Sequence, residues 1–372
     1  MRRPLRPLWL SHATRFAALS ATAARVALAL VALLLAATFL ALDAPAPPAA
    51  THAVAERSED HADVVLYESI VESVRHGGAY YPVAADALRA GNYPMRPFVT
   101  FRLPTLAVTQ ALLPPWANLA FLWTLVLVVA AAWYARLKPA FPRAPPRIVA
   151  LVLLAGGLVM FVQPDLVAFH ELWAGLLIAL SLALRRPGRW VEAAALGLAA
   201  MLIRETAALY VVVMALLAFA EGQRREALGW CAALSVLAAA VAAHAHAVTQ
   251  VVQPLDPASP GWAGLLGFGF FVQALTASTA LTQLPLALAA PLVGLALVGW
   301  AAWREPLALR ALTVLALYAA LLGVAGRTDT FYWGFLVAPF LLVGLAFAPD
   351  AIRDLLAAAR DTRRITVRRV SR

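Results

Sequence analysis

Asp63, Glu171, Glu205 and Asp329 are carboxylates of the kind that take up a proton or hold a hydroxyl, and His170, Arg102, Arg204 and Arg327 are of the kind that hold an anion. They stand in separate places along the chain. Asp63 lies in a polar stretch, residues 61–81 (HADVVLYESIVESVRHGGAYY); His170 and Glu171 follow the turn Gln163, Pro164, Asp165; Arg204 and Glu205 are adjacent between two apolar runs; Arg327 precedes Asp329 by two residues. A charged side chain costs roughly 2.5–3.5 kcal/mol at a bilayer centre on insertion scales and less near the interface, so a set of them gathered at one end implies a lined polar cavity.

The elements that must position these residues are apolar. Of 372 residues 63% are hydrophobic and only 13% charged, and the mean hydropathy is +0.78, the composition of a polytopic membrane protein. The single cysteine, Cys231, cannot form an internal disulfide and says nothing about redox compartment. A net charge of +10 in a soluble chain raises the question of nucleic acid. Here the arginines sit in short clusters at 136–147, 185–189, 224–225 and 304–310 and in the tail, so they mark the cytoplasmic side of a membrane and no nucleic-acid partner is expected.

Apolar runs at 26–42, 118–134, 148–162, 166–184, 190–203, 206–220, 228–248, 284–303, 307–325 and 331–347 predict an all-α fold with about ten membrane-spanning helices and both termini cytoplasmic. The first run follows Arg2, Arg3, Arg6, Arg15 and Arg25. A cleavable signal peptide also begins this way, but the remaining spans need an odd partner, which favours an uncleaved signal-anchor. The whole chain, 1–372, reads as one transmembrane domain with an outer loop at 43–102, a second outer segment at 249–282 and a basic cytoplasmic tail at 349–372. The first loop carries eight acids against five bases. The second contains FGFFVQAL, which reads as a short interfacial or re-entrant helix.

Within the first loop, Val64, Tyr67, Val71 and Val74 fall on one side of a helical stretch, with Glu68, Glu72 and Arg75 elsewhere. Gly77 and Gly78 end it, and a second short helix runs to Gly91. Each charged candidate also has a plainer role. Asp63 can cap its helix, Arg204 and Glu205 can be an ion pair that ends two helices, and His170 with Glu171 can be a polar patch between helices. His244 and His246 lie in an Ala-rich run without a third ligand at metal-site spacing.

Asp63, Tyr67, Ile70, Val74, the two glycines, Tyr80 and Tyr81, then Arg89 with Gly91, Asn92, Tyr93 and Pro94, and Arg102 with Pro104, resemble the first outer loop of GT-C superfamily glycosyltransferases. These are polytopic enzymes that use polyprenyl-phosphate sugars, and the likeness is to mannosyltransferase-like members. Further fragments fit: the QPD turn with HELWAGLLIALSLAL after it, LIRETA at 202–207 and GRTDTFYWGFLVAP at 326–339.

The resemblance implies inverting transfer of a hexosyl or pentosyl unit from a polyprenyl-phosphate donor to a glycan, lipid or protein acceptor of the cell envelope. The outer-loop aspartate is the base, by position Asp63, and the enzyme is expected in a bacterial inner membrane with its site facing the periplasm. Arg204 and Arg327 are then candidates for holding the departing phosphate. Glu171 and Glu205 orient sugar hydroxyls or those arginines, and His170, Tyr81 and Arg102 complete the substrate-binding set. Family loops often carry paired acids near the catalytic position; here Glu59, Asp60 and Asp63 are more loosely arranged. Asp60 is therefore an alternative base, and a divalent cation is an optional cofactor that no motif here demands. In this reading the loop is a lid that brings Asp63 over a floor of Glu171, Arg204, Glu205 and Arg327. The rival from another class is a transporter or flippase for a lipid-linked or small polar substrate. Transporters usually gather their charges near the midplane between related halves, and neither feature is apparent.

Overall fold

The computed structural model describes residues 6–45 and 62–361, and among these the ordered elements are helices. They are α1 (Ala21–Thr38), α2 (Ala62–Arg75), α3 (Tyr80–Ala90), α4 (Thr105–Ala111), α5 (Pro115–Leu137), α6 (Ala144–Leu158), α7 (His170–Leu184) and α8 (Val191–Ile203). There follow α9 (Ala208–Ala220), α10 (Arg224–Thr249), α11 (Gly267–Ala277), α12 (Leu286–Ala302), α13 (Pro306–Ala325), α14 (Ala338–Leu341) and α15 (Ala348–Ala359).

Among the described residues five helices are long and apolar enough to cross a membrane: Ala21–Leu42, Pro115–Leu137, Ala144–Val162, Arg224–Thr249 and Pro306–Ala325. A sixth is added if Thr328–Leu336 and Ala338–Ala346, bent by 56° at their junction, count as one span. The expectation of about ten spans is corrected accordingly. Four of the apolar runs behind that number form helices of 10–17 residues, His170–Leu184, Val191–Ile203, Glu205–Ala220 and Leu286–Ala302. At about 1.5 Å of rise per residue these fall short of a hydrocarbon core about 30 Å thick. Helix α7 is apolar for a different reason, since nearly all of its positions are buried between neighbouring helices. A methyl group at Gly175 would lie 2.2 Å from the Phe335 carbonyl oxygen, so the bent segment packs directly on the α7 backbone.

Side chains on α1, α5, α6 and α9 remain exposed along apolar faces, among them Leu33, Leu127, Val152 and Phe219, as expected of helices that meet lipid. Helix α11, expected as an interfacial or re-entrant helix, is enclosed and so does not lie on an interface: Phe270 and Phe271 are fully buried, and Gln273 Nε2 donates to the carbonyls of Ala41 (2.6 Å) and Ala44 (2.9 Å).

Beside the main core lies a smaller one that organises the first loop. Leu66, Ile70 and Val71 of α2 pack with Ala84, Ala85 and Leu88 of α3, and with Met95 and Phe101. Gly77, at φ +94°, supplies the left-handed turn that ends α2. The segment 249–282 closes on the first loop: Met95 N–H donates to the Pro257 carbonyl (2.8 Å), and Ser259 N–H to that of Arg96 (2.6 Å). At the other end of the bundle, Asp350 of α15 accepts from the N–H groups of Leu8, Trp9 and Leu10, and Asp354 from Thr14, so the N-terminal segment and α15 meet.

Candidate active site

Asp63 occupies the first turn of α2, whose apolar face fixes the helix on α3 and α4 and turns the carboxylate inward. The Tyr93 phenol acts on it and favours its charged form. That tyrosine is aimed by the end of α3, where Asn92 adopts φ +55° and Tyr93 N–H returns to the Leu88 carbonyl (2.9 Å). Burial raises the Asp63 pKa above the ordinary carboxylate range. The Tyr93 phenol and the charge of Arg102 pull it down, while Glu171 and Asp329 add to the rise. Tyr93 is in turn pushed up, by burial first and then by the Asp63 charge.

Arg102 is the cation that links the loop to the bundle. Its guanidinium carbon lies 5.7 Å from the centre of the Tyr67 ring, Nη2 lies 3.4 Å from the Tyr332 hydroxyl, and the same nitrogen is 3.9 Å from Glu171 Oε1. Tyr80 fixes its backbone by donating to the Arg102 carbonyl at 2.7 Å. Behind Arg102, Glu171 is fully buried at the start of α7 and accepts from Arg204 Nε at 2.5 Å. Arg204 sits where α8 stops, its backbone extended at φ −141°, ψ 111°, and its Nη1 donates to Glu205 Oε2 at 2.9 Å. The His170 ring stands 4.9 Å from that of Tyr67.

The structure thus joins Asp63, Arg102, His170, Glu171, Arg204 and Glu205 into one polar cluster at one end of α7. Its buried atoms without a protein hydrogen-bond partner, among the described residues, include both ring nitrogens of His170, Glu171 Oε2 and Arg102 Nε. Buried polar atoms are ordinarily bonded, so these open ones have hydrogen-bonding capacity left for water or a polar ligand.

Arg327 stands apart at the rim. It pairs with Asp329 at 2.8 Å, and both are partly exposed. Tyr81 points elsewhere: its hydroxyl is 3.2 Å from His244 Nδ1, which gives that histidine a role in joining α3 to α10. Glu59 and Asp60, the latter the alternative base, lie outside the described residues, as do Arg2, Arg3 and residues 362–372 of the basic tail. Reasoning from charges passed over Tyr67, Tyr93 and Tyr332. The first two were present in the loop motif, but nothing in the sequence distinguished them from the aromatic residues of any membrane interface.

Among the described residues no three His, Cys, Asp or Glu side chains converge as a metal site requires, and Asp63 faces Tyr93 and Arg102 instead of a second ligand. No family model, curated protein or solved structure matches the chain.

Proposed function

We propose that this protein is a membrane glycosyltransferase that moves a sugar from a polyprenyl-phosphate donor to a hydroxyl of an envelope glycan, lipid or protein, with inversion at the anomeric carbon. The observation that carries the reading is the half-buried Asp63, turned toward the charge of Arg102, which is itself backed by Glu171 and Arg204. Asp63, charged, accepts the acceptor proton as the acceptor oxygen bonds to the anomeric carbon. The bond from that carbon to the phosphate oxygen breaks, its electron pair leaves with the lipid phosphate, and Arg102 holds the developing charge. Arg204 is committed to Glu171 and Glu205, so its part is to fix Glu171, whose free oxygen is placed to receive a sugar hydroxyl. Arg327 at the rim receives phosphate as it enters or leaves. The site then faces outward from a bacterial plasma membrane, with both termini in the cytoplasm.

A transporter or flippase is the second reading, favoured by the 56° break between Thr328–Leu336 and Ala338–Ala346, the kind of interruption on which carriers build sites. One assay separates them. Reconstituted protein given a labelled polyprenyl-phosphate sugar and acceptor extract forms a new glycosidic product if it is a transferase, whereas a carrier only moves the unchanged donor between leaflets.

A further inference from the structure

At the end of the bundle opposite Asp63, three arginines from three separate junctions share one cleft. Arg136 comes from the last turn of α5, Arg186 from the turn between α7 and α8, and Arg304 from the turn between α12 and α13. With His12 and Glu305 they line a cleft of about 220 Å³. It is remote from the candidate active site, because Glu171 opens α7 and Arg186 lies beyond its other end, 15 residues or about 22 Å away along the helix.

The charge rule for membrane proteins asks only that arginines lie near one surface; it does not ask them to converge or to stay unpaired. Their neighbours are paired. Arg185 bonds Glu226 through Nε and Nη2, both at 2.8 Å, and Arg310 bonds Glu221 at 2.8 and 2.7 Å. The guanidiniums of Arg136, Arg186 and Arg304 have no hydrogen-bond or ion-pair partner among the described residues, and the cleft offers them one carboxylate, Glu305. Residues 1–5 and 362–372 carry no Asp or Glu side chain that could supply another.

Two buried carboxylates of α15 hold the cleft wall. Asp350 holds the N–H groups of Leu8, Trp9 and Leu10 at 2.6–2.9 Å, and Asp354 holds both N–H and hydroxyl of Thr14 at 2.9 Å, which seats residues 10–14 as one side of the cleft. A wall fixed by buried acids, facing three unpaired cations, is a preformed receptor for an anion. On the side of α5 that carries Ala135 of the cleft, Val128 and Ala131, two turns and one turn before it, are exposed and offer a surface for acyl chains.

We infer that this cleft binds a phosphate-bearing anion, either the headgroup of an acidic phospholipid whose chains lie along α5 or free phosphate. The site does not depend on what Asp63 does. The test uses full-length protein, with native mass spectrometry after equilibration with phosphatidylglycerol or phosphatidylcholine and thermal unfolding in inorganic phosphate or chloride of equal ionic strength. A lipid site retains phosphatidylglycerol over phosphatidylcholine, and R186Q and R304Q each weaken that retention on the order of fivefold. Arg189→Gln, in the same turn but outside the cleft, leaves it unchanged. A free-phosphate site instead shows no lipid preference and a phosphate-specific rise in unfolding temperature that R186Q/R304Q abolishes. R186K and R304K retain binding in either case. Binding of both phosphatidylglycerol and phosphate by R186Q/R304Q at wild-type levels, or no binding of either by the wild type, overturns the assignment.

Discussion

Arg204 Nε donates to Glu171 Oε1 at 2.5 Å, joining the break after α8 to the first turn of α7, with the two side chains only 5% and 0% exposed. Without Arg204, the fully buried Glu171 keeps only Arg102, at 3.9 Å, as a counter-charge, and a buried carboxylate that loses its close partner is costly. Arg204→Gln is therefore expected to destabilise the bundle by about 3–5 kcal/mol. E171Q/R204Q should be less destabilised than the sum of its single variants. Thermal unfolding in detergent measures both, and simple additivity would dissolve the coupling.

Asp63 is a member of the cluster whose loss leaves the bundle core untouched. Asp63→Asn keeps the shape while removing the proton acceptor. Transfer should fall by at least about a hundredfold, with unfolding temperature and membrane level near wild type. Near-normal turnover would take Asp63 out of the base role.

The raised pKa of Asp63 sets the sign of the pH dependence. Its base form is the charged one, so turnover falls as pH drops through a value above the ordinary carboxylate range. Tyr93 helps hold that value down, so Tyr93→Phe should move the acid limb to higher pH. The same shift means the folded chain binds this proton more tightly than the unfolded one. The group's contribution to stability is full below the unfolded-state pKa and lost as pH rises through the folded-state value. A rate profile whose acid limb does not move in Tyr93→Phe would break the link.

How far the sequence disclosed the site follows from what makes a residue conspicuous. Glu171, Arg204 and Glu205 stand out because an ionised side chain in an apolar run is costly, and they prove to be in contact. Tyr93 and Tyr332 were not conspicuous, since aromatic residues are ordinary at any membrane boundary and only the fold shows which hydroxyl meets which charge. Helix number is hidden in the sequence for a related reason. Hydropathy records that α7 is apolar but not whether lipid or protein surrounds it, and in α7 it is protein. The two-helix plan of the first loop was clear from local signals: the apolar spacing of α2, Gly77 after it, and Gly91 at the end of α3.

The loop is held over the bundle by a clamp far from the chemistry. Arg89 bonds Asp256 twice, Nε to Oδ1 and Nη2 to Oδ2, both at 2.9 Å, and its Nη2 also reaches the Val251 carbonyl at 2.6 Å. Asp256 in turn accepts from Gln253 N–H at 2.7 Å. Asp256→Ala should speed proteolytic cleavage within residues 251–260 several-fold without lowering the unfolding temperature of the bundle, since the clamp lies outside the main core. Unchanged cleavage would mean that Met95 and Ser259, bonded across the same junction, suffice to hold the loop.

The central claim is glycosyl transfer by Asp63, and the most direct measurement is the mass of envelope glycans and glycolipids in cells lacking the gene, complemented with wild type or Asp63→Asn at equal membrane levels. The account predicts that one glycan loses a single sugar unit in the deletion, regains it with wild type and does not regain it with Asp63→Asn. Unchanged masses on deletion, or full restoration by Asp63→Asn, would contradict it.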